Sequence, residues 1–279
     1  MVNIKELDPE SSAIAAYGAR LREWREVRGW SQDSLAVAIG YSSSHISAVE
    51  TARKPPTLGF SRKVDIALGL ADSPDSFERE WRKIRYGALL EGYPEYVSYE
   101  RRAVEIRIFQ LGIIPGLLQT PEYARTEAES YVQRRTITEE QAEERVSVLA
   151  ERQATLDRDP APMSMAVMDE SCLRQVVGGP GVMKRQFDHL LEVAALPNWV
   201  VQVAPFELGV RRTLKLPVNL LTLPDRSVVA YAESQTQGHL DKENVSVIPL
   251  LTAYHQLQAE ALSHAASVAM IEQLRKGST

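Results

Sequence analysis

The residues able to do covalent or metal chemistry are scattered along the chain. Gly178-Gly179-Pro180-Gly181 with Lys184 invites a phosphate-loop reading. The spacing is wrong for it, no Ser or Thr follows the lysine, and Pro180 lacks the amide N–H a phosphate cradle uses, so a turn is expected. The histidines stand at 45, 189, 239, 255 and 264, with no metal-ligand spacing among them. Cys172 is the one cysteine, which excludes an internal disulfide and predicts a buried thiol. Asp169-Glu170 with Arg174 suits an ion pair at a strand end better than an acid pair. Nowhere do a nucleophile, a base and an orienting group come together, so the sequence predicts no catalytic residues, no metal and no cofactor.

A different chemistry is concentrated in residues 31–51, SQDSLAVAIGYSSSHISAVET. Leu35, Ile39, Tyr41, Ile46 and Val49 fall where two crossed helices and their turn need apolar contacts. Ala36 sits where the helices approach, and Gly40 sits at the turn, where a positive φ favours glycine. These positions specify a helix-turn-helix. With Ile46 and Val49 turned inward, Ser44, Ser47, Ala48 and Thr51 face outward at helical spacing. Their short side chains would let that helix lie deep in a major groove.

This stretch resembles the helix-turn-helix family of the phage repressors and Cro, also called the xenobiotic response element family. The likeness runs from about Leu21 to Leu68 and is carried by Arg25, Ser31-Gln32, Leu35-Ala36, Gly40, Ile46-Ser47, Glu50 and Arg53. It implies that Gln32 bonds a backbone phosphate and that Ser43, Ser44, His45 and Ala48 lie where bases are read. It also implies an ion pair between Arg25 and Glu50 that ties the first helix to the third. Ser42 suits the N-cap of the recognition helix better than a base contact. Arg53 and Lys54 follow that helix and either hold phosphates or stay solvated.

The elements that must position these residues can be read around them. Residues 1–16 are expected to form an arm, with turn signals at Asp8-Pro9 and Ser11-Ser12. Five short helices follow within residues 17–87: one ending near Gly29, one from Ser31 to Gly40, one entered through Ser42, one carrying Phe60, Val64 and Leu68, and one around Asp75 to Tyr86. A boundary is expected at Gly87 to Pro94. Beyond it the pattern is mixed: helix over Tyr96 to Val104, strand over Glu105 to Leu111, a capped helix from Thr138 to Asp157. Strands are expected at Met163 to Met168 and Trp199 to Val203, with helix over Val182 to Ala195 between them. Leu220–Leu223 and Val228–Glu233 flank Pro224-Asp225-Arg226-Ser227 as a hairpin. Two helices from Val247 to Lys276 end the pattern, the second capped by Ser263. The expected class is mainly α with a mixed α/β part: a five-helix Cro/repressor-like domain (17–87) and a larger α+β domain (88–279).

Residues 113–125, IIPGLLQTPEYAR, place a Pro-Gly break and two leucines before a Thr-Pro helix start. The segment resembles the Ile/Val-Pro-Gly-Leu-Leu-Gln-Thr motif of a C-terminal domain found in many actinobacterial regulators. The likeness continues through Asp169-Glu170, the Gly178 to Gly181 loop, residues 199–203 and the 220–233 hairpin. It implies an antitoxin-like transcriptional regulator that binds a small protein encoded nearby.

Composition sets the outer bounds. The chain has 279 residues, 44% apolar and 25% charged, which excludes a disordered or fibrous chain. No run approaches the roughly 20 apolar residues of a membrane span. The first ten residues lack a basic stretch followed by an apolar core, so no secretory signal is expected. A cytoplasmic location fits the single cysteine. Residues 17–70 hold eight Lys/Arg against five Asp/Glu (8 − 5 = +3), whereas residues 91–279 hold 19 against 25 (19 − 25 = −6). A net +3 neutralises few phosphates, so useful specificity for double-stranded DNA requires a homodimer on a palindromic operator. Trp199, Phe206 and Tyr231 are candidates for the wall of a ligand pocket or a protein-docking face. A deep pocket would favour small-molecule sensing over a protein partner, and an exposed apolar patch the reverse.

Overall fold

The computed structural model describes residues 9, 12–71, 73–86, 92–233 and 238–277. The chain divides into two compact units, Met1–Gly87 and Ala88–Thr279. Residues 87–91 of the expected boundary lie outside the described residues, as do 1–8, 10 and 11 of the expected arm.

The first unit contains α1 (Ala13–Val27), α2 (Gln32–Ile39), α3 (Ser43–Glu50), α4 (Leu58–Leu68) and α5 (Phe77–Tyr86). The expected arm is too long: Ser12 Oγ accepts the Ala15 amide at 3.1 Å, and residues 13–16 are already helix. The cause is packing, because Ala15 and Tyr17 are buried in the first turns of α1. The hydroxyls of Ser31, Ser42 and Thr57 cap α2, α3 and α4 by accepting amides three residues on, at 3.0, 3.2 and 3.2 Å. Near the start of α5 the acceptor comes from α4. The buried Asp65 carboxylate accepts the Phe77 and Glu78 amides at 2.6 and 2.9 Å, and the Ser76 hydroxyl at 2.7 Å.

The core of this unit is built from Leu21, Leu35, Ile46, Val49, Phe60, Val64, Leu68 and Phe77. Gly40 ends α2 at φ +67°, a left-handed conformation cheap for glycine, and the chain turns there into α3. A second glycine sets how closely α1 meets α3. A Cβ at Gly18 would stand 2.5 Å from the Val49 carbonyl oxygen and 3.0 Å from that of Glu50.

The second unit runs α6 (Tyr93–Glu100), β1 (Glu105–Gln110), α7 (Pro121–Gln133), α8 (Glu139–Ala154), β2 (Met163–Asp169), α9 (Ser171–Arg174), α10 (Gly179–Ala194), β3 (Trp199–Ala204), β4 (Val218–Thr222), β5 (Val228–Glu233), β6 (Gly238–Asp241), α11 (Asn244–Glu260) and α12 (His264–Gly277). The six strands form one mixed sheet in the order β3-β2-β1-β4-β5-β6. β1, β2 and β3 are parallel, with α7 and α8 in the first crossover and α10 in the second. β4, β5 and β6 continue the sheet antiparallel. The mainly α, part mixed α/β class expected from the sequence is therefore present.

Side-chain alternation splits the sheet between two cores. Ile106, Ile108, Val201, Val203, Leu221 and Val229 pack with Tyr123 of α7, Phe187 and Leu190 of α10 and Ile271 of α12. Phe109, Val167, Val218, Leu220 and Ala230 pack on the other face with Val247, Tyr254 and Leu257 of α11.

Two local expectations are corrected. Gly179–Gly181, expected as a turn, form the first turn of α10, because Pro180 stands at a helix start where its missing N–H costs nothing. The helix expected to reach Val104 stops at Glu100, and Val104 instead enters the edge of the ladder by donating its amide to Thr222 at 2.8 Å. The strand β6, which extends the hairpin, was not expected.

Replacing Gly18 by alanine should press a methyl group into the α3 backbone and destabilise the first unit by about 1–3 kcal/mol. Three of the four tryptophans (Trp24, Trp30, Trp81) lie in that unit. Thermal unfolding followed by tryptophan fluorescence should show a fall of about 4–8 °C per kcal/mol. An unshifted transition would mean that α1 and α3 can separate without loss.

Candidate functional site

The helix-turn-helix is braced from inside by one carboxylate. Glu50, at the last turn of α3, is fully buried. It accepts Arg25 Nε on Oε1 at 2.5 Å and Arg25 Nη2 on Oε2 at 3.0 Å. Gln32 Nε2 donates to the same Oε2 at 2.8 Å, and Arg22 Nε stands 3.7 Å away. Arg25 Nη1 also donates to the Trp30 carbonyl at 2.9 Å. The hydrogen bond that Arg25 donates to Glu50 holds its guanidinium above its ordinary pKa. α1, the loop before α2, α2 itself and α3 are thereby joined at a single buried point.

With that end of α3 held and Ile46 and Val49 buried, the remaining side chains take the outer face. Ser44 is exposed, and Ser43, Ser47 and Ala48 are half-buried. Ser42 Oγ caps α3 and lies 3.0 Å from Ser44 Oγ. After the helix, Arg53 Nε donates to Thr51 Oγ1 at 2.9 Å and Arg53 Nη2 to Ser47 Oγ at 3.3 Å. This pins an exposed guanidinium beside the outer face of α3. Lys54 Nζ donates to His45 Nδ1 at 3.4 Å.

His45, expected where bases are read, is half-buried on α3. Its ring stacks on Phe60 at 5.4 Å and meets Tyr41 at 4.7 Å, and its Nε2 is buried with no hydrogen-bond partner. The aromatic neighbours outcompete solvent for the ring. Burial, with Lys54 adding to it, lowers the His45 pKa.

The unit's other cations divide by partner. Arg20 pairs with Glu80, Arg62 with Glu78 at 2.9 Å, and Arg28 donates to the Leu68 carbonyl. Lys63, absent from the sequence reading, is exposed beside the α2–α3 turn, with Nζ 5.1 Å from the Tyr41 ring centre. Only the packing of α4 against α2 brings it there, so no local pattern marks it.

The second unit holds a cavity of about 760 Å³ lined from α6, β1, the 113–119 segment, α7, α8, β4 and β5. Tyr96 and Tyr231 stack at 4.3 Å in its wall, with Tyr93 edge-on to Tyr231 at 6.0 Å. Behind them Arg152 is buried in a two-point pair with Glu100, 2.7 Å on each side, and donates to the Tyr96 hydroxyl at 3.2 Å. Burial lowers the pKa of this guanidinium, but Glu100 and the two tyrosines outweigh it and leave it well raised. Gln119, from the Pro-Gly-Leu-Leu-Gln-Thr segment, donates to the Ile114 carbonyl at 2.8 Å and to Glu127 Oε2 at 3.0 Å. Of the three candidate wall residues, Tyr231 lines the cavity, Trp199 is buried in the core and Phe206 is exposed.

The remaining reactive residues are engaged structurally. Asp169 pairs with Arg212, and Glu170 pairs with Arg174 at 2.5 Å while accepting the Phe206 amide at 2.9 Å. Cys172 is fully buried, with burial pushing its thiol pKa up. Among the described residues no group of three or more His, Cys, Asp or Glu could hold a metal ion, and no helix is long and apolar enough to cross a membrane.

Comparison with protein families assigns both units. Residues 93–273 match the model of a domain of unknown function, DUF5753. The chain belongs to the DUF5753 family. Residues 16–75 match a helix-turn-helix domain, and this member is a DNA-binding transcription regulator. No curated protein and no solved structure matches the chain.

Glu50→Ala would leave the Arg25 guanidinium buried without its partner, a change that typically costs about 3–5 kcal/mol. The first unit should lose its cooperative melting transition and DNA binding together. A variant with an unchanged melting temperature would show that the pair is dispensable.

Proposed function

We propose that this DUF5753 protein binds a palindromic operator as a homodimer, inserting α3 into the major groove, and takes its signal through residues 88–279. The observation that carries the reading is the outer face of α3: short side chains at Ser43, Ser44, Ser47 and Ala48 on a helix braced by Glu50. Ser44 and Ser47 offer hydroxyls to base edges, and Ala48 offers a methyl to a thymine. Ser42 stays a cap whose exposed hydroxyl lies at the groove edge. Gln32 uses one amide hydrogen on Glu50 and has the second for a backbone phosphate. Arg53 and Lys54 hold phosphates next to the recognition helix, and Lys63 joins them from α4. The domain's small positive balance supports two copies on two half-sites about 34 Å apart.

For the second unit the resemblance of residues 113–125 supports an antitoxin-like role with a small protein partner. Exposed apolar side chains on α11 (Val245, Ile248) and on the 206–216 segment (Phe206, Val210, Leu216) support a docking face for a partner or a second copy. The 206–216 segment lies along α11 through Thr213 and Arg211, which bond Ala253 and Glu260 at 2.6 and 2.7 Å. A second reading, sensing of a small molecule, is favoured by the cavity, whose size falls in the range of roughly 300–1,000 Å³ typical of ligand sites. Neither reading needs catalysis.

Gel shifts on upstream DNA over a range of salt should give tighter binding to a palindrome than to its half-site, and equal affinity would exclude the dimer. Arg53→Ala and Lys54→Ala should each weaken specific and nonspecific DNA by a similar factor and reduce the salt slope by about one. An unchanged slope would place both side chains in a solvated loop. Addition of the small neighbouring protein should change operator affinity if the partner reading holds.

A further inference from the structure

One side of α11 is buried, and the opposite side meets solvent without a single charge. Val247, Tyr254 and Leu257 pack into the core beneath the sheet. Val245, Ile248, Thr252 and Ala259 are exposed, and their steps of three, four and seven residues keep them on one stripe of the helix. No Asp, Glu, Lys or Arg occurs over the 16 residues 244–259, in a chain that is 25% charged. A helix face that only meets water ordinarily carries charge, whereas the centre of a protein interface is depleted of it. Charges return at both ends, with Lys242 and Glu243 before the run and Glu260 after it.

The 206–216 segment widens this face. It is bonded to the C-terminal half of α11 at Ala253 and Glu260, and it exposes Phe206, Val210 and Leu216. Together with Val245 and Ile248, these side chains are 52% to 95% exposed. At on the order of 100 Å² each, the five supply more than half of the about 800 Å² that each partner buries in a standard interface. Glu207, Arg211 and Lys215 of the same segment are exposed and provide a polar rim.

Charge and shape select the occupant. Residues 91–279 carry a net −6, so two copies repel each other unless they meet where charge is absent or opposed. We propose, resting on the homodimer reading above, that two copies of this chain meet on this face, their α11 helices antiparallel about a twofold axis at Thr252. Thr252 is the middle residue of the helix (Asn244–Glu260), and its small side chain lets the two helices approach. The bulkier N-terminal half of each helix, with Val245 and Ile248, then lies on the slimmer C-terminal half of the other, with Val245 against the copy's Ala259. The Arg211–Glu260 pair at the end of each α11 falls beside the start of the other, where Arg211 stands between Glu260 and the copy's Glu243. The contact is self-complementary, as a twofold interface requires.

Sedimentation equilibrium of the full chain tests the face. Ile248→Glu, at a side chain already 56% exposed, should leave the melting temperature unchanged. It should weaken self-association by about a hundredfold, since dimerisation would bury an unpaired carboxylate. Thr252→Cys should form a disulfide-linked dimer under copper phenanthroline, each thiol losing a proton and an electron to the oxidant. Val176→Cys, exposed beside Met183 and Phe187 of α10, should not. Native Cys172 is fully buried and stays out of the reaction. Self-association undiminished in Ile248→Glu, or cross-linking of Thr252→Cys no faster than that of Val176→Cys, would overturn the assignment and leave the homodimer to another surface. A wild-type chain that is monomeric in solution and occupies the palindrome as one copy would remove the homodimer reading itself, and this face with it.

Discussion

A charge in the interior of a small helical domain is tolerable only when its bonds are satisfied, and Glu50 makes that requirement structural. Its carboxylate sits with no exposure at the meeting point of three helices and takes donors from Arg25 on α1 and Gln32 on α2. Because Glu50 is the last residue of α3, these bonds set the end of that helix, and Ile46 and Val49 set its rotation. The outward register of Ser44, Ser47 and Ala48 follows from them. Gly18 completes the constraint, since the α1 backbone approaches α3 too closely for any side chain there.

The same bond to Gln32 links the interior to the proposed phosphate contact. A glutamine amide has two hydrogens, and fixing one on Glu50 orients the other. Contact with a phosphate would thus be supported by a side chain already immobilised, which lowers the ordering cost of binding. Arg53 is prepared in a similar way, pinned to Thr51 and Ser47 at the end of the same helix.

The second unit repeats the device in a different setting. Arg152 and Glu100 join α8 to α6 in a fully buried pair, and their partners Tyr93 and Tyr96 form part of the cavity wall. Here the buried pair holds the helices that enclose empty space, whereas in the first unit it holds a helix outward. The parallel half of the sheet supplies the floor through β1, and the antiparallel half supplies Tyr231 and Glu233 through β5. The cavity therefore lies where the two halves of the sheet join.

Local and periodic features were legible in the sequence because they depend on neighbours a few positions away. Apolar spacing marked the five helices of the first unit, Ser31 and Ser42 marked where two of them start, and the Pro224–Ser227 turn marked the hairpin. Resemblance to the repressor family pointed to Arg25 with Glu50. Other features were decided only by tertiary packing. Asp65 caps a helix twelve residues away, Lys63 reaches the α2–α3 turn through α4, and the His45 ring stacks on Phe60 of another helix. The cavity gathers Tyr93, Gln119, Glu127 and Tyr231 from segments separated by up to 138 positions (231 − 93), and no short pattern can encode such a meeting. The sequence by itself determined the helix-turn-helix and the mixed class, since helix periodicity and turn chemistry are short-range. Which polar groups are buried, paired or left facing empty space was decided by the tertiary structure, since burial is a property of surroundings that only folding brings together.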